Sequence, residues 1–538
     1  MKKYQFAIIT CCVLSLGFSA CTEKDSAEEE KDNKRADNML TTFFSRNSDE
    51  TTGAKTRTSL DYASEKWFWE AGDKIYAKDR EGNWQASTVV DGHKDEFAFQ
   101  LPGMYSPTGT VVYYPGKNGS NDQVTIPATQ QQKQPNTTDA LQNYGECGMA
   151  TAVPDWKPDG LAFTFQLKHQ AAVLAIQPYT VNSTIQNCKL TKIEVSSDND
   201  IAGTFTLSPI GLTGSGSKTI TLETKSDASG SYPDGFPLTN TTVSLATNGS
   251  YMVIKPGTHA LTMRYWLKNI ATNEVSTVVK TYAPFNYAAN NYYDMSANLS
   301  IKEYSSEGFY MWDATENYNY WKGYESEQQF LGLSEYLGQT PSTHYAQNNS
   351  DQRWFHEGGA TSPITATASC KDCPNANELF WYVFRGDPHW DFDQVWSIKG
   401  KVFKGGIWIK KKAAILRDNS DLSVWRFENR YPDRYGVDRD MRTENVEILN
   451  NYVWGSADPV PNITDYFFLP FIGFYKNGRL QGPMGYSAQY WSSTSVGKVP
   501  YGATPQDYAY ALRFDISSAV LIVVPEERKA GCYIHKFE

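Results

Sequence analysis

The sequence is poor in basic clusters, in long apolar runs and in cysteine, and each shortage excludes a class of protein. Lys and Arg number 50 against 60 Asp and Glu, which gives a formal net charge of −10 at pH 7. The longest basic run is Lys410, Lys411 and Lys412. Because an acidic surface repels phosphate backbones, nucleic acid is excluded as an expected partner.

Apolar runs of membrane-spanning length are also lacking. Residues 6–17 follow two lysines near the N-terminus, and residues 519–524 are predicted to form a strand. A transmembrane helix needs about 20 apolar residues. The sequence therefore predicts no transmembrane helix, and the N-terminal run instead has the length of the apolar part of a signal peptide.

The N-terminal run ends in small residues and a cysteine, Ser19, Ala20 and Cys21. This arrangement resembles a bacterial lipoprotein signal, which implies cleavage between Ala20 and Cys21, lipid on the Cys21 sulfur and a place at the surface of the cell outer membrane. An ordinary secretory signal with a chance cysteine is the alternative. Residues 22–32 are acidic without hydrophobic periodicity, so residues 21–50 are interpreted as a flexible tether or leader.

Cysteine is too scarce for a disulfide framework. Of eight Cys, Cys11 and Cys12 leave with the signal and Cys21 is the anchor, and the remaining five cannot all pair within one chain. Cys370 and Cys373 form a Cys-x-x-Cys motif in a stretch of loop composition, which predicts a small-loop disulfide or free thiols. A zinc site would need a second pair of ligands. No cofactor and no metal are predicted.

Strand signals are frequent between residues 50 and 300. Apolar residues alternate with polar ones at 161–167 and at 261–267, as half-buried strands require. Gly- and Ser-rich pieces such as 214–217 separate the segments, and this spacing favours antiparallel β-sandwiches. His169 is interpreted as a strand histidine with satisfied hydrogen bonds, and not as a ligand or a base.

The same region contains six short motifs. They are 55–60 (KTRTSL), 69–75 (WEAGDKI), 165–174 (FQLKHQAAVL), 192–195 (KIEV), 201–205 (IAGTF) and 292–299 (YYDMSANL). In this order they resemble the fimbrillin family of the Bacteroidota, which implies two transthyretin-like β-sandwiches in tandem. Subunits of that family polymerise by strand exchange. A leader with the first strand is cut off after an arginine, and a neighbour's strand enters the groove.

Three arginines near the start of the chain are available for such a cut, Arg35, Arg46 and Arg57. Arg46 closely follows the apolar pair Phe43 and Phe44, which would belong to a removable strand. Arg46 is therefore the predicted processing site. The alternative is that Arg46 is one linker charge among several.

From about residue 303 the composition changes to Trp, Tyr, Asp and Gly, and ten of the fifteen Trp lie there. Four further motifs are 468–475 (FLPFIGFY), 490–494 (YWSST), 508–514 (YAYALRF) and 528–534 (RKAGCYI). Together they resemble the fibrobacter-type major paralogous domain, whose fold is similar to C-type lectins and formylglycine-generating enzymes. Trp491 and Gly473 are interpreted as residues that define the fold, and most of the Trp as core.

The functional motifs of those relatives are missing. Calcium-dependent lectins use Glu-Pro-Asn or Gln-Pro-Asp with Trp-Asn-Asp, whereas Trp491 is followed by two serines. Formylglycine formation needs a reactive cysteine pair, and only Cys532 lies in the matching stretch. No Ser-His-Asp order, catalytic carboxylate pair or Gly-rich phosphate loop indicates catalysis, so the protein is predicted not to be an enzyme.

One stretch carries the candidate ligand-binding residues Trp390, Asp391 and Asp393. Sugar faces stack on aromatic rings, and carboxylates accept hydrogen bonds from hydroxyl groups. Asp387, His389, Asp391 and Asp393 alternate, so on a strand they would share one face and could hold a divalent cation. The alternative is a solvated loop.

The sequence thus predicts a mainly β chain of two tandem transthyretin-like sandwiches followed by an α+β C-type-lectin-like domain. The ranges are 1–20 for the signal peptide, 21–50 for the tether, 51–170 and 171–302 for the sandwiches, and 303–538 for the lectin-like domain. The predicted function is that of a surface lipoprotein, a minor or tip fimbrial subunit. It would join other subunits by strand exchange and adhere to a host or bacterial surface glycan or protein. The alternatives are a non-polymerising lipoprotein for polysaccharide capture and an enzyme derived from the formylglycine-generating fold.

Overall fold

The computed structural model describes residues 39–46, 59–61, 66–158, 160–270, 273, 275–359, 362–444, 451–497 and 505–538. The predicted signal peptide, Cys21, Arg35 and Arg57 lie outside these ranges. The fold is mainly β, as the sequence predicts. In the part of the chain that is described, no helix has the length and apolar composition needed to span a membrane.

Two sheets enclose the first apolar cluster and form the first sandwich. The four-stranded sheet contains, in spatial order, Val153–Lys157, Gly160–Phe165, Leu40–Ser45 and Ala98–Pro102. The five-stranded sheet contains Lys168–His169, Gly148–Thr151, Val111–Tyr114, Tyr76–Lys78 and Trp84–Ala86. Phe43, Phe163 and Phe165 from one sheet and Val112 and Tyr114 from the other are buried between them. The strands Ser59–Asp61 and Lys66–Phe68 form a separate hairpin.

Three sheets surround the second apolar cluster and form the second sandwich. The first has Ser250–Ile254, Ala172–Tyr179 and Asn291–Asn298. The largest has Val275–Tyr287, Gly257–Asn269, Cys188–Ser197, Thr219–Glu223 and Thr129–Gln131, with Phe236–Pro237 also on Cys188–Ser197. The third has Gly211–Thr213, Gly203–Ser208 and Gln123–Ile126. Short helices lie at Ser183–Gln186 and Leu245–Asn248, and a 3-10 turn at Leu141–Asn143.

The predicted division of the sandwiches at residues 170/171 does not follow the sheets. Gln123–Ile126 pairs with Gly203–Ser208, and Thr129–Gln131 pairs in parallel with Thr219–Glu223. Val124 and Ile126 accordingly lie in the second apolar cluster. A segment before residue 171 therefore completes the second sandwich, because its strands bury their apolar faces there.

The predicted alternation in the second sandwich is confirmed. Leu261, Met263, Tyr265 and Leu267 lie on the strand Gly257–Asn269 and are each at most 1% exposed. Successive side chains of a strand point to opposite faces, so a period of two in the sequence places these four residues on the core side.

The C-terminal region has two sheets around a third apolar cluster, which includes Trp396, Leu469 and Tyr490. One contains Lys302–Tyr304, His389–Ile398, Lys401–Lys410 and Tyr466–Pro470. The other contains Phe309–Tyr310, Cys532–Tyr533, Ser487–Ser495, Tyr508–Asp515, Val520–Glu527 and Tyr452–Trp454. Two hairpins pair Tyr431–Pro432 with Asp438–Arg439 and Phe474–Lys476 with Arg479–Gln481. Helices lie at Leu333–Tyr336, Ala376–Arg385, Lys412–Asp418 and Val424–Asn429, and 3-10 turns at Ser306–Gly308, Ile463–Asp465 and Pro505–Asp507.

The helix Ala376–Arg385 shows why this region is α+β. Asn375 accepts a hydrogen bond from the Glu378 amide, and the Glu378 side chain bonds back to the Asn375 amide, which is a capping box. Leu379, Phe380 and Val383 follow at helical spacing and are buried in the third cluster. A capped start and one apolar face thus fix the helix against the sheets.

Most of the Trp in this region belong to the core, as the sequence predicts. Of the ten after residue 302, six are at most 7% exposed: Trp312, Trp321, Trp381, Trp390, Trp396 and Trp491. The indole N–H of Trp491 donates to the Tyr310 carbonyl at 2.7 Å. Gly473 has φ +67°, a left-handed conformation that favours glycine. The interpretation of Trp491 and Gly473 as fold-defining is confirmed.

The C-terminal region packs directly on the second sandwich. Lys302–Tyr304 pairs in parallel with the end of His389–Ile398. Val395 and Val402 belong to the second apolar cluster although they come from the C-terminal sheet. The side-chain amide of Asn182 donates to the Ile301 carbonyl at 3.2 Å. The junction near residue 302 is therefore a packed interface.

Candidate functional site

The strand Leu40–Ser45, called the N-terminal strand below, is an inner strand of the four-stranded sheet. It runs parallel to Gly160–Phe165 and antiparallel to Ala98–Pro102. These residues lie in the range 21–50, for which the sequence favours a flexible tether or leader and a removable strand at Phe43 and Phe44. A flexible tether is wrong for residues 40–45, because alternate side chains of this segment are buried in the first sandwich, and a strand is present at Phe43 and Phe44.

Phe43 supplies the central side chain of the buried face. Its ring is 0% exposed and stacks on Phe163, with ring centroids 4.7 Å apart and planes 10° from parallel. It also meets Tyr105 edge-on at 5.0 Å. The pocket that these rings form is the size of an aromatic side chain, and Phe43 fills it.

Two hydroxyl groups flank Phe43 on the same face. Thr41 donates to the Gly103 carbonyl at 2.8 Å. The Ser45 oxygen accepts hydrogen bonds from the Trp69 indole N–H at 3.0 Å and from the Phe97 amide at 2.8 Å. The buried face of the N-terminal strand therefore carries, in order, the Thr41 hydroxyl, the Phe43 ring and the Ser45 hydroxyl.

The motif 69–75 positions Trp69 beneath this strand. Gly72 has φ +89°, and the amide of Asp73 donates to the Glu70 carbonyl at 3.0 Å, which closes a tight turn. The Asp73 carboxylate accepts from the Glu70 amide at 2.7 Å and from the Tyr114 hydroxyl at 2.9 Å. The turn is thus tied to the opposite sheet, and this fixes the indole N–H that faces Ser45.

Arg46 stands at the end of the N-terminal strand and is exposed. Its amide donates to the Phe165 carbonyl at 3.0 Å, the last strand hydrogen bond described on this side. Its side chain is 62% exposed, and the guanidinium lies 3.7 Å from the Asp155 carboxylate, which also pairs with Lys157 at 3.0 Å. Such a surface pair is weak, so the arginine side chain is accessible to an enzyme.

Loss of the N-terminal strand would create a groove in the four-stranded sheet. Neighbouring strands lie about 4.8 Å apart, so its removal would leave Gly160–Phe165 and Ala98–Pro102 facing each other across about 10 Å. Their unpaired N–H and C=O groups and the Phe43 pocket would form a groove for one extended chain. Sheet hydrogen bonds would provide affinity, and the pockets for alternate side chains would provide specificity.

The predicted ligand-binding ring, Trp390, lies in the core of the C-terminal region. It is 7% exposed and stacks on Phe471, with centroids 6.0 Å apart and planes 9° from parallel. A ring that is covered in this way does not present a face to a sugar. The structure therefore does not support Trp390 as a sugar-binding ring. The reason is its packing against Phe471, which residues near Trp390 in the sequence do not reveal.

Asp391 is likewise engaged within the protein, whereas the Asp393 side chain is 65% exposed. Asp391 accepts hydrogen bonds from the amides of Asp393 at 3.0 Å and Gln394 at 2.8 Å, and from the Trp408 indole at 3.1 Å. Asp393 lies 3.6 Å from the Lys404 ammonium group. The carboxylate of Asp391 thus shapes a local turn and does not project as a ligand group.

The four alternating residues 387–393 do not share one strand face. The strand His389–Ile398 has a register shift between Asp391 and Val395, which breaks the alternation. Asp387 accepts from the Tyr466 hydroxyl at 2.7 Å, and the Nδ1 atom of His389 lies 2.8 Å from the Asp458 carbonyl. Among the described residues, no group of three or more His, Cys, Asp or Glu side chains is arranged to hold a metal.

The structure identifies exposed aromatic residues that the sequence could not select. In the C-terminal region Trp425 is 60% exposed and Trp454 is 66% exposed. Tyr452, 51% exposed, lies two residues before Trp454 on the edge strand Tyr452–Trp454, so both side chains point to one face. Two exposed rings on one sheet face are a platform on which a sugar can stack.

The five cysteines after Cys21 are free and buried: Cys147, Cys188, Cys370, Cys373 and Cys532. Of the two alternatives for the Cys-x-x-Cys motif, the structure has free thiols. Burial raises the pKa of the Cys370 thiol well above its usual value, so little reactive thiolate is present. Cys370 and Cys373 pack with Trp312 and Trp491 in an apolar cluster.

His169 is a buried strand histidine, as the sequence predicts. It lies on the strand Lys168–His169, is 2% exposed, and its Nδ1 atom is bonded to the carboxylate of Glu146, which is 1% exposed. The interpretation as a histidine with satisfied hydrogen bonds is confirmed.

Comparison with known proteins finds likeness only among solved structures. No family model matches the chain, and no curated protein matches it. A provisionally named cell adhesion protein from Bacteroides ovatus aligns at 10% identity over 49% of this chain and 93% of its own, with a TM-score of 0.26.

Two further structures are described in fimbrial terms. A fimbrial protein from Bacteroides ovatus aligns at 11% identity over 48% of this chain and 51% of its own, with a TM-score of 0.23. A fimbrial assembly protein from Parabacteroides distasonis aligns at 10% identity over 45% of this chain and 98% of its own, with a TM-score of 0.19. At these identities and TM-scores the likeness does not assign the chain to a family.

Proposed function

We propose that this protein is a cell-surface lipoprotein that acts in adhesion as a minor or tip subunit of a fimbria. The observation that supports the proposal is the N-terminal strand, an inner strand that ends at an exposed arginine. Cleavage after Arg46 would cut the covalent link and leave a strand that only non-covalent contacts hold. A neighbouring subunit's strand could then replace it by pairing with both open edges.

The same cut would release the protein from its proposed lipid anchor. The lipid would be attached to Cys21, which lies before Arg46 in the chain. The anchor would therefore hold the precursor at the outer membrane until cleavage makes the groove available. This order of events would couple release of the subunit to its assembly.

The C-terminal region supports the proposed tip position. Cys532–Tyr533 is an inner strand of that region's own sheet, and the Glu538 carboxylate accepts from the Tyr382 hydroxyl at 2.8 Å. The strand Cys532–Tyr533 and Glu538 thus serve their own domain. A subunit that accepts a strand but donates none would end a polymer and present its lectin-like C-terminal domain outward, to a glycan or a protein.

The N-terminus of the mature protein tests the proposal. In cells, mass spectrometry should find Asn47 as the first residue of the protein in purified fimbriae. The Arg46→Ala variant should keep lipidated Cys21 as its first residue and be absent from fimbriae, whereas the matched control Arg57→Ala should still begin at Asn47. Wild-type protein that keeps lipidated Cys21 and does not co-purify with fimbriae would refute the proposal.

A stand-alone glycan-binding lipoprotein is the second candidate function, and the exposed pair Tyr452 and Trp454 favours it. This protein would keep its lipid and the bond after Arg46. A glycan array probed with the full chain should then give signals that the Trp454→Ala variant loses and that the Trp156→Ala variant keeps, since Trp156 is an exposed tryptophan of the first sandwich. No signal on any glycan would argue against this candidate.

A further inference from the structure

The Ser45 hydroxyl is a polar group inside the apolar cluster of the first sandwich. Ser45 is 7% exposed and Trp69 is 1% exposed, so the Trp69 indole N–H has little access to water. That N–H and the Phe97 amide both donate to the Ser45 oxygen, at 3.0 and 2.8 Å. The Ser45 hydroxyl in turn donates to the Phe97 carbonyl at 3.3 Å. Without this oxygen, two donors would lose their acceptor.

The Ser45 hydroxyl also distinguishes the observed strand register from shifted registers. In the observed pairing Phe43 is opposite Phe99 on one side and Phe163 on the other, and Ser45 is opposite Phe165. A slip by one residue would turn Phe44 towards the core and every buried group outward. A slip by two residues would bring Phe43 against the Trp69 indole, where a hydrocarbon ring accepts no such hydrogen bond.

We infer that the groove of the first sandwich selects its occupant by a hydroxyl group two residues after an aromatic ring. The partner is a strand that runs parallel to Gly160–Phe165 and carries Phe or Tyr at the position of Phe43 and Ser or Thr at the position of Ser45. The inference rests on the proposed function, since it names the strand that would enter after cleavage. Strands with an aliphatic residue at the Ser45 position are rejected because they leave the buried Trp69 indole N–H and the half-buried Phe97 amide without this acceptor.

Hydrogen exchange of the intact full chain tests the hydroxyl without requiring cleavage. In Ser45→Ala, the amides of residues 41–46 should exchange about ten- to a hundredfold faster than in the wild type. Ser45→Thr keeps a hydroxyl and should restore exchange to within about threefold of the wild type. Thr42→Ala is the matched control, because it removes a hydroxyl from the opposite, outward face of the same strand, and it too should stay within about threefold.

Peptide competition tests selection of the partner. The full chain is cut after Arg46 with an arginine-specific protease, and synthetic peptides of residues 39–46 compete with the strand that remains bound. The wild-type and Ser45→Thr peptides should displace it at similar concentrations. The Ser45→Ala peptide should need about ten- to a hundredfold more.

The outcomes separate this inference from the proposed function. Equal exchange and equal competition by the Ser45→Ala and wild-type sequences would overturn the hydroxyl selection, even if strands are replaced. Faster exchange in Ser45→Ala, together with failure of every peptide to enter the cleaved protein, would overturn strand replacement and with it selection of a partner. Faster exchange and weaker competition together support both.

Discussion

Replacement of Phe43 by alanine tests whether core packing holds the N-terminal strand. The ring is 0% exposed and lies between Phe163, at 4.7 Å, and Tyr105, at 5.0 Å. Truncation removes the ring from this pocket and leaves a cavity whose walls belong to two other segments of the chain. Phe163 is fixed in its strand and the Tyr105 hydroxyl donates to the Pro102 carbonyl at 2.7 Å, so these walls cannot close fully over the space.

The expected loss is about 3–5 kcal/mol, the usual cost of a buried Phe-to-Ala change. A domain has about 5–15 kcal/mol of stability in total, so opening of this strand should become far more frequent. Hydrogen exchange of residues 40–46 in the full chain is the assay, since a chain with several cores does not unfold in one step. The loss corresponds to exchange more than about a hundredfold faster in Phe43→Ala.

Phe44→Ala is the matched control, since it removes the same ring from the next residue. Phe44 is half-buried on the outer face, where the Lys157 ammonium group lies 6.0 Å from the ring. The expected loss there is below about 1.5 kcal/mol. If Phe43→Ala opens the strand no more than Phe44→Ala does, the strand is not held by its buried ring and the groove argument fails.

Three further predictions concern charge, pH and backbone conformation. Asp155→Asn removes the carboxylate 3.7 Å from Arg46, and cleavage after Arg46 by an arginine-specific protease should become about two- to fivefold faster, as expected for a weak surface pair. Burial, with a smaller effect of Lys302, lowers the pKa of His535 from 6.5 to about 4. The unfolded chain therefore binds a proton that the folded chain does not. Hydrogen exchange of core amides in the C-terminal region, corrected for the pH dependence of intrinsic exchange, should show stability falling by up to about 3 kcal/mol as pH drops from about 6.5 to about 4. Gly473→Ala should cost about 1–3 kcal/mol in the same hydrogen-exchange assay, since φ is +67° and a Cβ would lie 2.9 Å from Leu480.

Each of these three predictions has its own control variant. Lys157→Met removes the other partner of Asp155 and leaves the carboxylate near Arg46, so it should not speed cleavage. His535→Gln should flatten the loss of stability between pH 6.5 and 4, and an unchanged slope would contradict the assignment to His535. Gly436 has φ +79° with open space around a Cβ, so Gly436→Ala should cost only about 1 kcal/mol. Equal losses at Gly473 and Gly436 would argue against the contact with Leu480.

The candidate site was partly visible in the sequence. The pair Phe43 and Phe44 followed by Arg46 indicates an apolar strand with a cleavable end, and the structure places a strand there. The bond between Ser45 and Trp69 was not predictable, because 24 residues separate the two side chains. The turn at Gly72, tied through Asp73 to Tyr114, and the backbone pairing of Trp69 with Lys94 bring the indole under the strand.

The structure does not support ligand binding by Trp390 and Asp391, and the reason is tertiary; the role of Asp393 stays a prediction. Alternation in the sequence implies a shared face only if the strand is regular, and this strand has a bulge after Asp391. Whether a tryptophan is core or platform depends on what covers it. Phe471, 81 residues later in the chain, covers Trp390, whereas the edge position of Tyr452–Trp454 leaves Trp454 exposed.

Composition and periodicity by themselves determined that the chain is mainly β, that residues 261–267 bury alternate side chains, and that most of the tryptophans after residue 302 are core. These properties are local, since a period of two residues decides which side chains face a core. Only the tertiary structure decided which strands pair. It placed Leu40–Ser45 between two strands more than 50 residues away in the sequence and gave Thr129–Gln131 to the second sandwich. Such pairing depends on contacts between distant segments, which no short stretch of sequence encodes.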